Sequence, residues 1–194
     1  MQPLGGTHGS PGEVDLEDWA DQARAEVAAQ QRRREAWLRR QASEDASVVG
    51  VLIGHAEQGS TLAVTTRSGN RHVGQIQGAG SHLVTIEVTG ARVAVALDSI
   101  DTISALAVDA REVAHPVGHR SGADPITMGD LLGLAAADRP DVVVVTWSGQ
   151  QVGGELVSVG RDLAMVRPPD ASPLVYVPLA SVSEALLPPS TGSG

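Results

Sequence analysis

From Leu16 onward apolar residues recur at spacings of three and four, through Trp19, Ala20, Ala23 and Val27. That period predicts an amphipathic helix capped by Asp15. Glu17, Asp18 and Asp21 lie near its start and Arg32, Arg33, Arg34, Arg39 and Arg40 near its end, an order that suits the helix dipole at both ends. Gly and Pro are absent between residues 13 and 49, so the helix is placed at residues 15–45 and extends about 45 Å at about 1.5 Å per residue. Polar Gln30 and Arg34 interrupt its apolar stripe, which argues against a long dimeric coiled coil. Leu16, Ala23, Val27 and Trp37 are instead expected to pack on a second copy of the helix or on the unit that follows.

Past residue 46 the pattern changes to short β-branched runs separated by glycines, and it occurs twice. Ser68 to Ile86, SGNRHVGQIQGAGSHLVTI, aligns without a gap onto Ser148 to Val166, SGQQVGGELVSVGRDLAMV, with Ser68/Ser148, Gly69/Gly149, Gly74/Gly154, Gly80/Gly160 and Leu83/Leu163 identical. The flanks match as well: VGVLIG from Val49 faces MGDLLG from Met128, and VALDSI from Val95 faces VPLASV from Val177. Such self-similarity indicates one supersecondary unit used twice.

Each unit reads as a short helix followed by strands. Thr127 and Asp130 have the form of a capping box, opening a helix that Asp138, Arg139 and Pro140 stop. Val48 to Ala56 is β-branched enough for a strand, but its match to the second copy favours helix. Leu62 to Thr66 and Val142 to Trp147 read as first strands, and Ser-Gly pairs at 68–69 and 148–149 turn the chain. The second strand contains Gly74 or Gly154, where glycine marks a sharp bend or a close backbone approach. Gly80 or Gly160 makes the next turn, and a third strand and two short ones around Val93 to Leu97 or Leu174 to Leu179 complete the unit.

Five short strands bent in this way can close into a barrel. The helix, bent strand and hairpin, with the GAG or SVG turn and the VALDSI and VPLASV segments, resemble the Sm-like family of small SH3-like barrels. The resemblance covers about residues 47–104 and 126–187. A charged helix ahead of such a unit is also similar to a set of actinobacterial proteins, a likeness that supplies no activity. The implied architecture is α+β and mainly β, with two tandem barrels at 46–104 and 126–187. A disordered start (1–14), a linker (105–125) and a disordered tail (188–194) complete the division. RNA-binding members of the family carry an Asp and an Asn around the turn between the second and third strands. Here the turns read Gly80, Ser81, His82 and Gly160, Arg161, Asp162, so the resemblance implies the fold and not the ligand.

Composition narrows the function classes. Cys is absent, so disulfides, thiolate metal sites and a thiol nucleophile are excluded, and Phe is absent too, leaving an aliphatic core of Val, Leu and Ala. The first twelve residues lack the apolar run of a signal peptide, and no stretch of eighteen apolar residues occurs, so a cytoplasmic protein without a membrane span is expected. Net charge is −9, with six arginines against nine acids in residues 1–46 and eight against fourteen thereafter. A surface of that sign repels phosphate backbones, and a nucleic-acid site would need a local basic patch. Arg32, Arg33, Arg34, Trp37, Arg39 and Arg40 form the one such patch. Its alternative is a solvated helix end paired with Glu26, Glu35 and Glu44.

His115 and His119, with Asp109 and Glu112, are close enough in sequence to suggest a metal, but Pro116 and Gly118 disfavour the helix that would bring the histidines to one face, and a solvated linker is expected. His72 and His82 flank the first hairpin, and their counterparts Val152 and Asp162 differ, so a site common to both units is not expected there. Trp147 and Tyr176 are expected in the core. Exposed beside Arg161 and Arg167, Trp147 would instead make a peptide-binding or base-stacking surface. No catalytic, cofactor-binding or metal-ligating set stands out, and no small-molecule substrate is indicated. The expectation is a non-enzymatic adaptor or scaffold with a protein partner or self-association. Its alternative is an RNA-associated protein that contacts phosphate through the Arg32–Arg40 patch.

Overall fold

The computed structural model describes residues 16–44, 46–106, 125–169 and 172–189. The proposed disordered start, all but the ends of the linker with His115 and His119, and the last five residues of the tail lie outside them. Helix α1, Leu16–Glu44, forms a unit of its own through Gln41, and its described apolar side chains are open to solvent: Trp19 is 66% and Trp37 61% exposed. Val27 is exposed as well.

The second unit is mainly β with some α. After α2 (Val48–Glu57) come β1 (Thr61–Thr66), β2 (Arg71–Ala79), β3 (Leu83–Val88), β4 (Ala91–Ala96) and β5 (Ile100–Ala105). The set repeats as α3 (Met128–Ala135), β6 (Asp141–Thr146), β7 (Gln151–Val159), β8 (Leu163–Arg167), β9 (Val175–Pro178) and β10 (Val182–Leu187). The first helix of the pair is thus helical despite its β-branched residues. Ser47 caps it by accepting from the Gly50 amide at 3.0 Å. Thr127 and Asp130 close the reciprocal capping box on α3, with the Thr127 amide 2.9 Å from Asp130 Oδ2.

All ten strands join one antiparallel sheet in the order β5-β1-β2-β3-β4-β10-β6-β7-β8-β9. Each copy contributes five neighbouring strands, and the copies meet where β4 pairs with β10. VALDSI and VPLASV are not single strands. Each ends one strand, passes through a 3-10 turn and opens the next.

Side chains on the meeting strands alternate between two cores, as the twofold period of a strand requires. Val93 and Val95 of β4 enter a core with Leu52, Leu62, Val64, Ile76, Val84 and Ile86, while Ala94 between them enters the other. From β10, Ala185 and Leu187 join Leu132, Val142, Val144 and Leu156, and Leu186 reaches back to the first core. Neither core is complete without a strand of the other copy.

One buried group in the first core is poorly served. His55 on α2 is 6% exposed, its Nδ1 has no hydrogen-bond partner among the described residues, and burial lowers its pKa. The matching position in α3 is Leu134. His55→Leu is expected to raise stability by about 1 kcal/mol near neutral pH. The advantage should widen below about pH 6.5, because the fold opposes the proton that the unfolded chain accepts. Melting curves at pH 7.5 and 5.5 check both points.

Candidate functional site

Glu184, in β10, is a carboxylate with no solvent exposure, placed between the two copies. A charge so buried persists only if it is bonded, and here the bonds come from the β1–β2 turn of the other copy. Thr66 Oγ1 donates to Oε1 at 2.6 Å, Ser68 Oγ donates to the same oxygen, Asn70 Nδ2 donates to Oε2 at 3.0 Å, and His72 Nε2 lies 2.7 Å from Oε2. Burial pushes the Glu184 pKa up, but bonds from His72, Ser68, Thr66 and Asn70 outweigh it and hold the group at about 2. Ser99, also fully buried, adds a bond across the same junction, from its Oγ to the Ser183 carbonyl, and the buried Ser183 Oγ donates to the Val145 carbonyl within the second copy.

The turn that supplies these donors is built by local sequence. The Thr66 amide donates to the Asn70 carbonyl and the Gly69 amide to the Thr66 carbonyl, with Gly69 at φ +90°. Thr66, Ser68, Asn70 and His72 therefore stand at alternate positions and face one way. The second copy makes the same turn with the same two amide bonds, Thr146 to Gln150 and Gly149 to Thr146. It presents Thr146, Ser148 and Gln150 in the matching places, with Val152 for His72. No strand lies on the outer edge of β9 among the described residues, so nothing there fills the position that Glu184 fills in the first copy.

The residues singled out in the sequence are placed as follows. On α1, Arg32, Arg33, Arg34 and Arg40 are exposed, and Arg33, Trp37 and Arg40 share one helical face at spacings of four and three. The Arg39 side chain lies outside the described residues. Trp147 is half-buried in the β6–β7 turn, and its ring N–H donates to the Ala180 carbonyl at 3.1 Å. Of the two arginines named with it, Arg161 precedes β8, and Arg167 ends it and bonds Glu155 at 3.0 Å. Tyr176 is not a core residue. It is 60% exposed on β9 because Val177 takes the inward position.

The bend glycines Gly74 and Gly154 are places where backbone meets backbone. Gly69 and Gly149 occupy positive-φ turns. Gly80 and Gly160 make turn bonds to the carbonyls of Leu83 and Leu163, but Gly160 needs neither positive φ nor missing volume, since an added Cβ would meet only Leu163 at 3.8 Å or more.

Of Glu184 and its donors, sequence reasoning weighs only His72, and not as a partner of Glu184. The signal was present in Thr66, Ser68, Asn70 and His72 at intervals of two, and in one acid between Val182 and Leu187. Two open depressions accompany the sheet. One of about 600 Å³ runs along the junction past Gly90, Gly153 and Leu186, and one of about 750 Å³ lies between α3 and the Gly160 turn. The first is lined mostly by apolar residues and glycines, and Thr127, Asp130 and Arg161 border the second. Among the described residues there is no cluster of three metal-ligating side chains and no helix long and apolar enough to cross a membrane. No family model matches the chain, and a search of curated proteins finds no relative.

Proposed function

We propose that the chain is a non-catalytic scaffold of two Sm-like barrels that holds a protein partner by strand addition at a free sheet edge, and that it works in the cytoplasm. The observation carrying this reading is the β4–β10 junction, where an extended segment from a distant part of the chain lies on an edge strand, shares two cores and seats Glu184 in a polar turn. Edge strands present unpaired N–H and C=O groups to any such segment. The edges of β5 and β9 remain in that state among the described residues.

Strand addition predicts a partner retained at high salt and after nuclease treatment. Tyr176→Lys, which puts a charge on the exposed face of β9, should reduce its recovery at least tenfold without moving the melting midpoint. Unchanged recovery would reject the β9 edge as the contact.

A second reading, association with RNA through α1, is favoured by the shared exposed face of Arg33, Trp37 and Arg40. It predicts co-purifying RNA whose binding weakens steeply with salt. Replacing Arg33, Arg34, Arg39 and Arg40 by Ala should abolish that binding and leave a strand-addition partner in place. Filter binding of single-stranded RNA between 50 and 200 mM salt tests it.

A further inference from the structure

We infer that the second copy holds an open socket for an acidic, leucine-bearing strand of another protein, with the partner's carboxylate seated among Thr146, Ser148 and Gln150 as its backbone pairs with β9. The inference rests on the strand-addition reading and specifies its ligand.

The occupied form of this socket is present in the same chain. At the β4 edge, Glu184 accepts from Thr66, Ser68 and Asn70, and Leu186, two residues on, reaches the neighbouring core. In the second copy both hydroxyls recur at the same spacing, 2.9 Å apart as Thr146 and Ser148, and Gln150 supplies an amide where Asn70 stands. The missing donor is His72, replaced by Val152, so a carboxylate would find three of the four donors. Ser148 and Gln150 are exposed, so their hydrogen-bonding groups are accessible. Tyr176 occupies the place of Ala94, and its exposed ring offers an apolar cover to an added strand.

A second copy of this chain is the less suitable occupant. The registers of β5 on β1 and of β10 on β6 correspond, with the same shift near the turn, so each β5 residue has a β10 equivalent. Thr102 stands where Glu184 does, and Ser104 where Leu186 does. Asp101 replaces the buried Ser183. The chain's own free strand thus lacks both the carboxylate and the leucine, and it adds a charge that would have to be buried.

The test uses the full chain and a labelled synthetic peptide with its own sequence from Ser181 to Pro188, SVSEALLP, followed by fluorescence anisotropy. The peptide is expected to bind, and replacing its glutamate by alanine should weaken binding at least fivefold. The protein variant Ser148→Ala/Gln150→Ala should bind both peptides alike. Equal binding of the two peptides to the unaltered protein would overturn the socket while leaving strand addition standing. Discrimination that survives Ser148→Ala/Gln150→Ala would place the glutamate elsewhere and likewise overturn it. Failure of both peptides to bind at millimolar concentration would overturn both the socket and the strand-addition reading.

Discussion

Glu184→Ala is expected to destabilise the sheet-bearing unit by about 3–5 kcal/mol, a large share of the stability of an ordinary domain. The substitution removes the acceptor for Thr66, Ser68, Asn70 and His72 together and opens a void where β10 crosses between the two cores. Each buried donor left unmade costs about 1–3 kcal/mol, and the total is limited because Ser68 and Asn70 are near enough to the surface for water to reach them. Glu184→Gln keeps the volume but turns an NH2 group toward donors, so its effect should be intermediate. Denaturant unfolding of the three proteins checks the order, and a loss below about 1 kcal/mol for the alanine variant would remove Glu184 as a structural key.

The same carboxylate makes stability depend on pH in a defined direction. Its folded pKa of about 2 lies below its ordinary value of 4.5, so its contribution is fully present above about pH 4.5 and disappears as the pH falls toward 2. A depression of that size corresponds to about 3 kcal/mol at about 1.4 kcal/mol per pKa unit. Unfolding measured between pH 5 and pH 2.5 should show the decline in the natural chain and a flatter profile in Glu184→Gln.

What could be read in the sequence and what could not divide along a physical line. The repeat, the capping box at Thr127, and the turns at Gly69 and Gly149 are set by residues within a few positions of one another, so local pattern reveals them. Glu184 takes its donors from residues 112 to 118 positions away, and nothing in its immediate sequence encodes that β10 lies beside β4. That no site common to both units is expected at His72 follows from its loss in the second copy, where Val152 stands. That loss is what a bond made only at the junction between copies produces. Apolar content alone puts Tyr176 in the core, whereas it is exposed. The alternation Val175, Tyr176, Val177 on a final strand sends the middle residue outward. The arginine patch was legible as composition, and its geometry adds the face shared by Arg33, Trp37 and Arg40.

Gly74→Ala and Gly154→Ala should each cost about 3 kcal/mol or more, for a reason that side-chain repacking cannot relieve. A Cβ at Gly74 would stand 1.9 Å from the Glu87 carbonyl oxygen, and one at Gly154 would stand 2.1 Å from that of Arg167. Both obstacles are backbone atoms of the next strand, so the methyl fits only if β2 leaves β3 or β7 leaves β8. Those strands pair directly beside the bend, at Gln75↔Glu87 and Glu155↔Arg167, and separating them there would break ladder bonds on both sides. Gly154 carries a second constraint, φ +147°, which an L-residue rarely adopts, so its substitution should be the more damaging of the two. Gly160→Ala is the control: it is also a conserved member of the internal repeat, but its added methyl would meet Leu163 at 3.8 Å, an ordinary contact, and should change stability by less than about 1 kcal/mol. Equal losses at all three positions would mean that the repeat's glycines are needed for turn formation in general. A large loss confined to 74 and 154 would establish that the bend, with backbone pressed on backbone, is what the repeat preserves.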